Sequence, residues 1–170
     1  SSWRSNAWYS AWRNLTFPMR EGRCRSATCC GPRWTEDAPY SMSNFPSVHY
    51  YLGLTYEQKG QYEQSVAAFQ RAVTLSGGVP GDIGALGHAY ASWGKRDEAG
   101  RILADLLELS QRRYVPSFHI GLINLRLGDL DQAFHWFDRA CGERDFYLIY
   151  LKVDPRLDVI RADPRFIDLY

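Results

Sequence analysis

Tyr51-Leu52-Gly53-Leu54-Thr55-Tyr56 decides the fold, because its pattern returns twice further along the chain. Gly53 is followed by Gly87 and Gly121 at intervals of 34 residues, and Gly60 by Gly94 and Gly128 at the same interval. Small residues keep step at Ser65, Ala99 and Ala133, and large apolar ones at Phe69, Leu103 and Phe137. Ala72, Leu106 and Ala140 complete the set. Three copies in one register, with no insertion, mark an array of helical hairpins, since a fixed period of roughly 20–50 residues is the signature of stacked repeats.

The residue types say what each position does. Leu52-Gly53, Leu86-Gly87 and Ile120-Gly121 set a core residue beside a glycine in the first helix of each hairpin, and the glycine admits the second helix. Tyr56 and Tyr90, three residues on, lie on the same face and widen the apolar stripe. Gly60, Gly94 and Gly128 end the first helices, where a left-handed residue costs least as glycine. Tyr62, Arg96 and Leu130 open the second helices, with acids in the first turn that suit the helix dipole. Gly77, Gly78, Pro80 and Gly81 form the turn between the first two copies. The third copy departs at Asn124, where the others carry tyrosine.

Tyr51-Leu-Gly-Leu-Thr-Tyr56 with Ser65-x3-Phe69, and Leu86-Gly-His-Ala-Tyr90 with Ala99-x3-Leu103, resemble the tetratricopeptide repeat. The resemblance implies an all-α, right-handed solenoid of three hairpins, at about 46–79, 80–113 and 114–145. In that family the first helices line a concave face that grips protein or peptide partners. By register, the partner-binding groove here is Tyr50, Leu54 and Glu57 from the first copy, His88 from the second, and Phe118, His119, Leu122 and Leu125 from the third. Members that clamp a terminal carboxylate use lysine and asparagine at such places. Leu54, His88 and Leu122 occupy the asparagine place, so an apolar or amphipathic segment is the expected partner. The alternative is that these side chains only pack on neighbouring hairpins.

The tail, Tyr147-Leu-Ile-Tyr-Leu-Lys-Val-Asp-Pro-Arg-Leu-Asp followed by Arg161-Ala-Asp-Pro-Arg-Phe166, is similar to the C-terminus of certain bacterial tetratricopeptide proteins. In those the repeats follow a winged-helix or protein kinase domain, which implies the docking or sensing half of a larger regulator. On its own terms, the tail places an N-cap aspartate before a proline at Asp154-Pro155 and Asp163-Pro164. Two short helices should begin there and present Leu157, Ile160, Phe166 and Leu169 as the cap over the last hairpin. The other reading of the two Asp-Pro-Arg copies is a phosphate or partner site.

Residues 1–43 are a different kind of sequence. They hold six arginines, no lysine and three acids, a net of +3, so the rest of the chain nets −2 within a total of +1. Of positions equivalent to a preceding repeat, Ala38 alone fits, and Met19 stands where the helix-pairing glycine belongs. Two readings stay open: an out-of-frame segment of a GC-rich gene, or a divergent or partly ordered N-terminal arm; under either, Trp3, Trp8 and Trp12 can pack as one short helix against the first repeat. The first residue is not Met, so the chain is expected to be a fragment or trimmed at its start.

Other functional classes find little support. Net charge of +1 gives no electrostatic argument for nucleic acid or an anionic membrane. No apolar run approaches the roughly 18 residues of a membrane span, and a cytoplasmic setting is expected. Cys24, Cys29 and Cys30 match no usual zinc spacing, so neither metal nor cofactor is expected. No nucleophile stands with a histidine and an acid in a local motif, and the glycines are spaced for helix pairing, not for phosphate. An enzyme is therefore not expected. Arg112 and Arg113 read as cations at a helix C-terminus, and His49 as a packed core residue.

Overall fold

The computed structural model describes residues 44–169, and every described element is helical. The readings of residues 1–43 lie outside them. Six α-helices form three hairpins: α1 (Pro46–Gln58) with α2 (Tyr62–Ser76), α3 (Pro80–Ser92) with α4 (Arg96–Ser110), and α5 (Ser117–Leu127) with α6 (Leu130–Glu143). Two 3-10 turns, Phe146–Tyr150 and Pro155–Ile160, and the one-turn α7 (Pro164–Ile167) complete the described residues. Helices pair within each hairpin, and α3 packs on α2 and on α5, so this is a tetratricopeptide-like α-solenoid.

The repeated glycines do the work their spacing implies, but Leu52, expected in the core, is exposed, and the first hairpin is filled by Phe69 instead. Gly60, Gly94 and Gly128 all have positive φ, at 71°, 82° and 90°. In each hairpin the next amide then returns to a carbonyl of the last turn: Gln61 to Tyr56, Lys95 to Tyr90 and Asp129 to Asn124. The helix-pairing glycines sit against side chains. A Cβ on Gly53 would come within 2.7 Å of the Phe69 ring, and one on Gly121 within 2.6 Å of Phe137. At Gly87 the neighbours are Ile102 and Ile123, so this glycine serves its own hairpin and the next one together. Ser65 is explained by a hydrogen bond from its hydroxyl to the Gly53 carbonyl, 2.9 Å long and buried, which pins α2 to α1.

Some local expectations shift. Gly81 belongs to α3 and not to the preceding turn, which is made by Gly77 and Gly78. Asn124 is buried and donates from Nδ2 to the Ile120 carbonyl, so its amide is satisfied by its own helix. Arg113 reaches back to the Gly78 carbonyl at 3.1 Å and ties the second hairpin to the turn before it, while Arg112 forms an exposed pair with Glu108. His49 is half-buried.

Candidate functional site

The face formed by the first helices, α1, α3 and α5, is where the partner groove was expected. Phe118, His119 and Leu122 are fully buried there, and Leu125 is nearly so. His88 is also fully buried, Glu57 nearly so, and Tyr50 and Leu54 are half-buried. This is no open groove. The chain's own tail lies on it.

The reason is the chemistry of residues 145–169. Asp145, Asp154 and Asp163 each cap the turn that follows, their side chains accepting from the backbone amides of Tyr147, Arg156 and Arg165. The prolines at 155 and 164 start those turns with a fixed φ and no lost donor. Short turns project apolar side chains to one side, and Leu151, Leu157, Ile160 and Phe166 enter one cluster with Phe118, Leu122, Leu125, Phe134 and Phe137. The cap expected at the end of the last hairpin therefore also covers the first-helix side of that hairpin.

The tail then reaches the other two hairpins. The Tyr147 ring lies 4.4 Å from that of His119, and its hydroxyl sits 2.6 Å from where a Cβ on Gly81 would stand. That contact accounts for a glycine inside α3. The guanidinium of Arg156 lies beside the Tyr50 hydroxyl and near Glu57, both on α1. Tyr150 meets Tyr51 on the same helix.

Arg156 and Asp154 form the polar centre of this seat. Arg156 donates Nε to Asp154 Oδ1 at 3.0 Å and Nη2 to Oδ2 at 2.6 Å, with both side chains buried. The second Asp-Pro-Arg copy repeats the geometry in the open, with Arg165 Nη2 on Asp163 at 2.9 Å and Nη1 on Asp131 of α6 at 2.9 Å. Each guanidinium is thus engaged by the aspartate two residues before it, which argues against the phosphate reading of these motifs. Burial opposes ionisation of Asp154, but the charge and hydrogen bonds of Arg156 outweigh it and hold the carboxyl below its usual range.

Around that pair stands a diagonal row of polar side chains, one from each first helix: Glu57, His88 and His119. Their spacing is 31 residues, one helical turn short of the repeat, so the row slants across the face. His88 Nδ1 is 2.7 Å from Glu57 Oε1, and Ser92 donates its hydroxyl to the same oxygen at 2.7 Å. Burial would raise the Glu57 pKa, yet its interactions with His88 and Ser92 win and bring it down to about 2. The His119 pKa is held well below its ordinary value, because burial disfavours its charged form and Arg156 and His88 add to the penalty. No group of three metal-ligating side chains occurs among the described residues.

Sequence reasoning brought Glu57, His88 and the α5 residues to one face and missed Ser92, Tyr147, Asp154 and Arg156. The signal for the last two was the duplicated Asp-Pro-Arg, whose aspartates were read as caps without the arginine that closes on them. No described helix is long and apolar enough to cross a membrane. No curated protein and no solved structure matches the chain. Residues 46–78, the whole of the first hairpin, match the family model of the tetratricopeptide repeat, a helical scaffold for protein–protein interaction.

Proposed function

We propose that this chain is a protein-docking scaffold, the interaction part of a larger bacterial regulatory protein working in the cytoplasm, and that it takes an apolar or amphipathic segment of a protein partner without chemistry of its own. The observation that carries this reading is the seated tail. A stretch of short turns buries Leu157, Ile160 and Phe166 against α5 and α6 and sets Tyr147 on α3 and Arg156 beside α1, which is how such a face would hold an incoming peptide. Tyr50, Leu54 and Glu57 on α1, with His88, His119, Phe118, Leu122 and Leu125, are its proposed lining.

The test is site-specific photocrosslinking in cells. A photoreactive residue at Leu54, on the first-helix face, should capture a partner protein, whereas one at exposed Glu63 on α2 should not. Partner capture at Glu63 alone would refute the assignment of the face. A second reading is favoured by the same tail: the face serves only to pack the chain's own segments. In that case neither position captures anything.

A further inference from the structure

We propose that the first-helix face is built to read an arginine-bearing apolar segment, and that residues 146–169 are its resident, exchangeable occupant. This rests on the docking reading above and specifies the partner's chemistry. The tail shows what fits: an arginine at position 156, followed by Leu157 and, three residues later, Ile160, all buried. The two aliphatic residues fill the cluster around Phe118, Leu122 and Phe137, and the arginine points toward α1.

The fit of the resident is incomplete. Glu57 Oε1 is held at His88 and Ser92, but Oε2 is buried with no hydrogen-bond partner. On the tail side, Nη1 of Arg156 is likewise buried without one. Glu57 and Arg156 line one pocket at the end of α1, while Asp154 holds the guanidinium through Nε and Nη2 and Tyr50 lies beside it. Buried polar groups left unpaired weaken a complex, and pairing them strengthens it. A partner carrying arginine, a large aliphatic residue at the next position and another at the fourth, but no acid two residues before the arginine, would present its guanidinium to Glu57. Such a segment should displace the tail. The exit is in place: Arg144, exposed and left-handed at φ 54°, is where the chain leaves α6 for the tail.

The experiment uses the full chain with a protease site inserted after Arg144. The protein is nicked and then challenged with a fluorescent synthetic peptide of residues 145–170, read by anisotropy. The labelled peptide should exchange in, and the Arg156→Ala peptide should bind at least tenfold more weakly. The Asp154→Ser peptide, which keeps a capping side chain, should bind at least as well as the parent. In Glu57→Gln protein the difference between the parent and Arg156→Ala peptides should shrink. Failure of any peptide to exchange, with unfolding by circular dichroism when the tail is removed, would make the tail part of the core and overturn the inference. Equal binding of the Arg156→Ala peptide would also overturn it. Neither result would touch partner capture at Leu54 in the intact chain, so the docking reading stands or falls separately.

Discussion

Glu57 and His88, 31 residues apart on different hairpins, meet at 2.7 Å in the interior of the first-helix face. The contact joins the first hairpin to the second through polar atoms that are cut off from water. Glu57→Ala should therefore destabilise the chain by about 1–3 kcal/mol, the range for leaving buried hydrogen-bonding partners unsatisfied. Chemical denaturation of the variant checks this. A loss below about 1 kcal/mol would mean that the pair is solvated in solution.

The glycines divide into two classes with opposite predicted outcomes. Gly87→Leu must displace Ile102 and Ile123, so it should cost about 1–3 kcal/mol or more. Gly142 is helical, exposed and has nothing within 4 Å of a new Cβ. Gly142→Ala should stabilise by about 0.5–1 kcal/mol through helix propensity alone. Thermal melts of the two variants should move in opposite directions.

Acid should loosen the seat of the tail before it affects the rest. His119 packs against Tyr147 of the tail, Phe118 of α5 and the glycines Gly81 and Gly84 of α3, and the charges of Arg156 and His88 act on it. Its folded pKa lies well below the ordinary value of about 6.5. A depressed histidine contributes stability that is complete above pH of about 6.5 and lost as pH falls toward the folded pKa, at up to about 1.4 kcal/mol per pH unit. Glu57 adds a second loss at lower pH, between about 4.5 and its folded value of about 2. Urea midpoints measured from pH 7.5 to 5 should fall for the parent and fall less for His119→Phe. Parallel curves would show that His119 is not the group responsible.

Deleting residues 154–170 removes Leu157, Ile160 and Phe166 from the cluster around Phe118, Leu122 and Phe137. The truncated chain should keep its helical content by circular dichroism but self-associate, since an uncovered apolar solenoid face is not soluble. Light scattering of the purified product checks this, and a monodisperse product would show that the uncovered face does not drive association.

What the sequence disclosed, and what it withheld, follows from the range of the interactions concerned. Gly53, Gly60 and their repeats are legible because each answers a local demand, either a helix crossing or a left-handed residue, and the demand recurs at a fixed interval. Asp154-Pro155 and Asp163-Pro164 are legible for the same reason, as caps act within three residues. The destination of the tail is not local. Nothing in the spacing of Tyr147 or Arg156 tells that one meets Gly81 and the other Tyr50, because an irregular segment has no period to project. The burial of His88 and His119 followed from that missing piece. Both lie in first helices and both are buried, and a face is a groove only while nothing lies on it.

The strap from α6 back to α1 also bears on how this chain comes apart. A linear array touches only its nearest neighbours, so its end units can fray singly. Here the last segment grips the first hairpin through Arg156 and Tyr150, about 100 residues from Tyr50 and Tyr51. Neither terminal hairpin can peel away without breaking that grip. The loop it closes raises the mean sequence separation of contacts, which slows folding relative to an open array. The solenoid behaves as a ring in its energetics while remaining a rod in its connectivity.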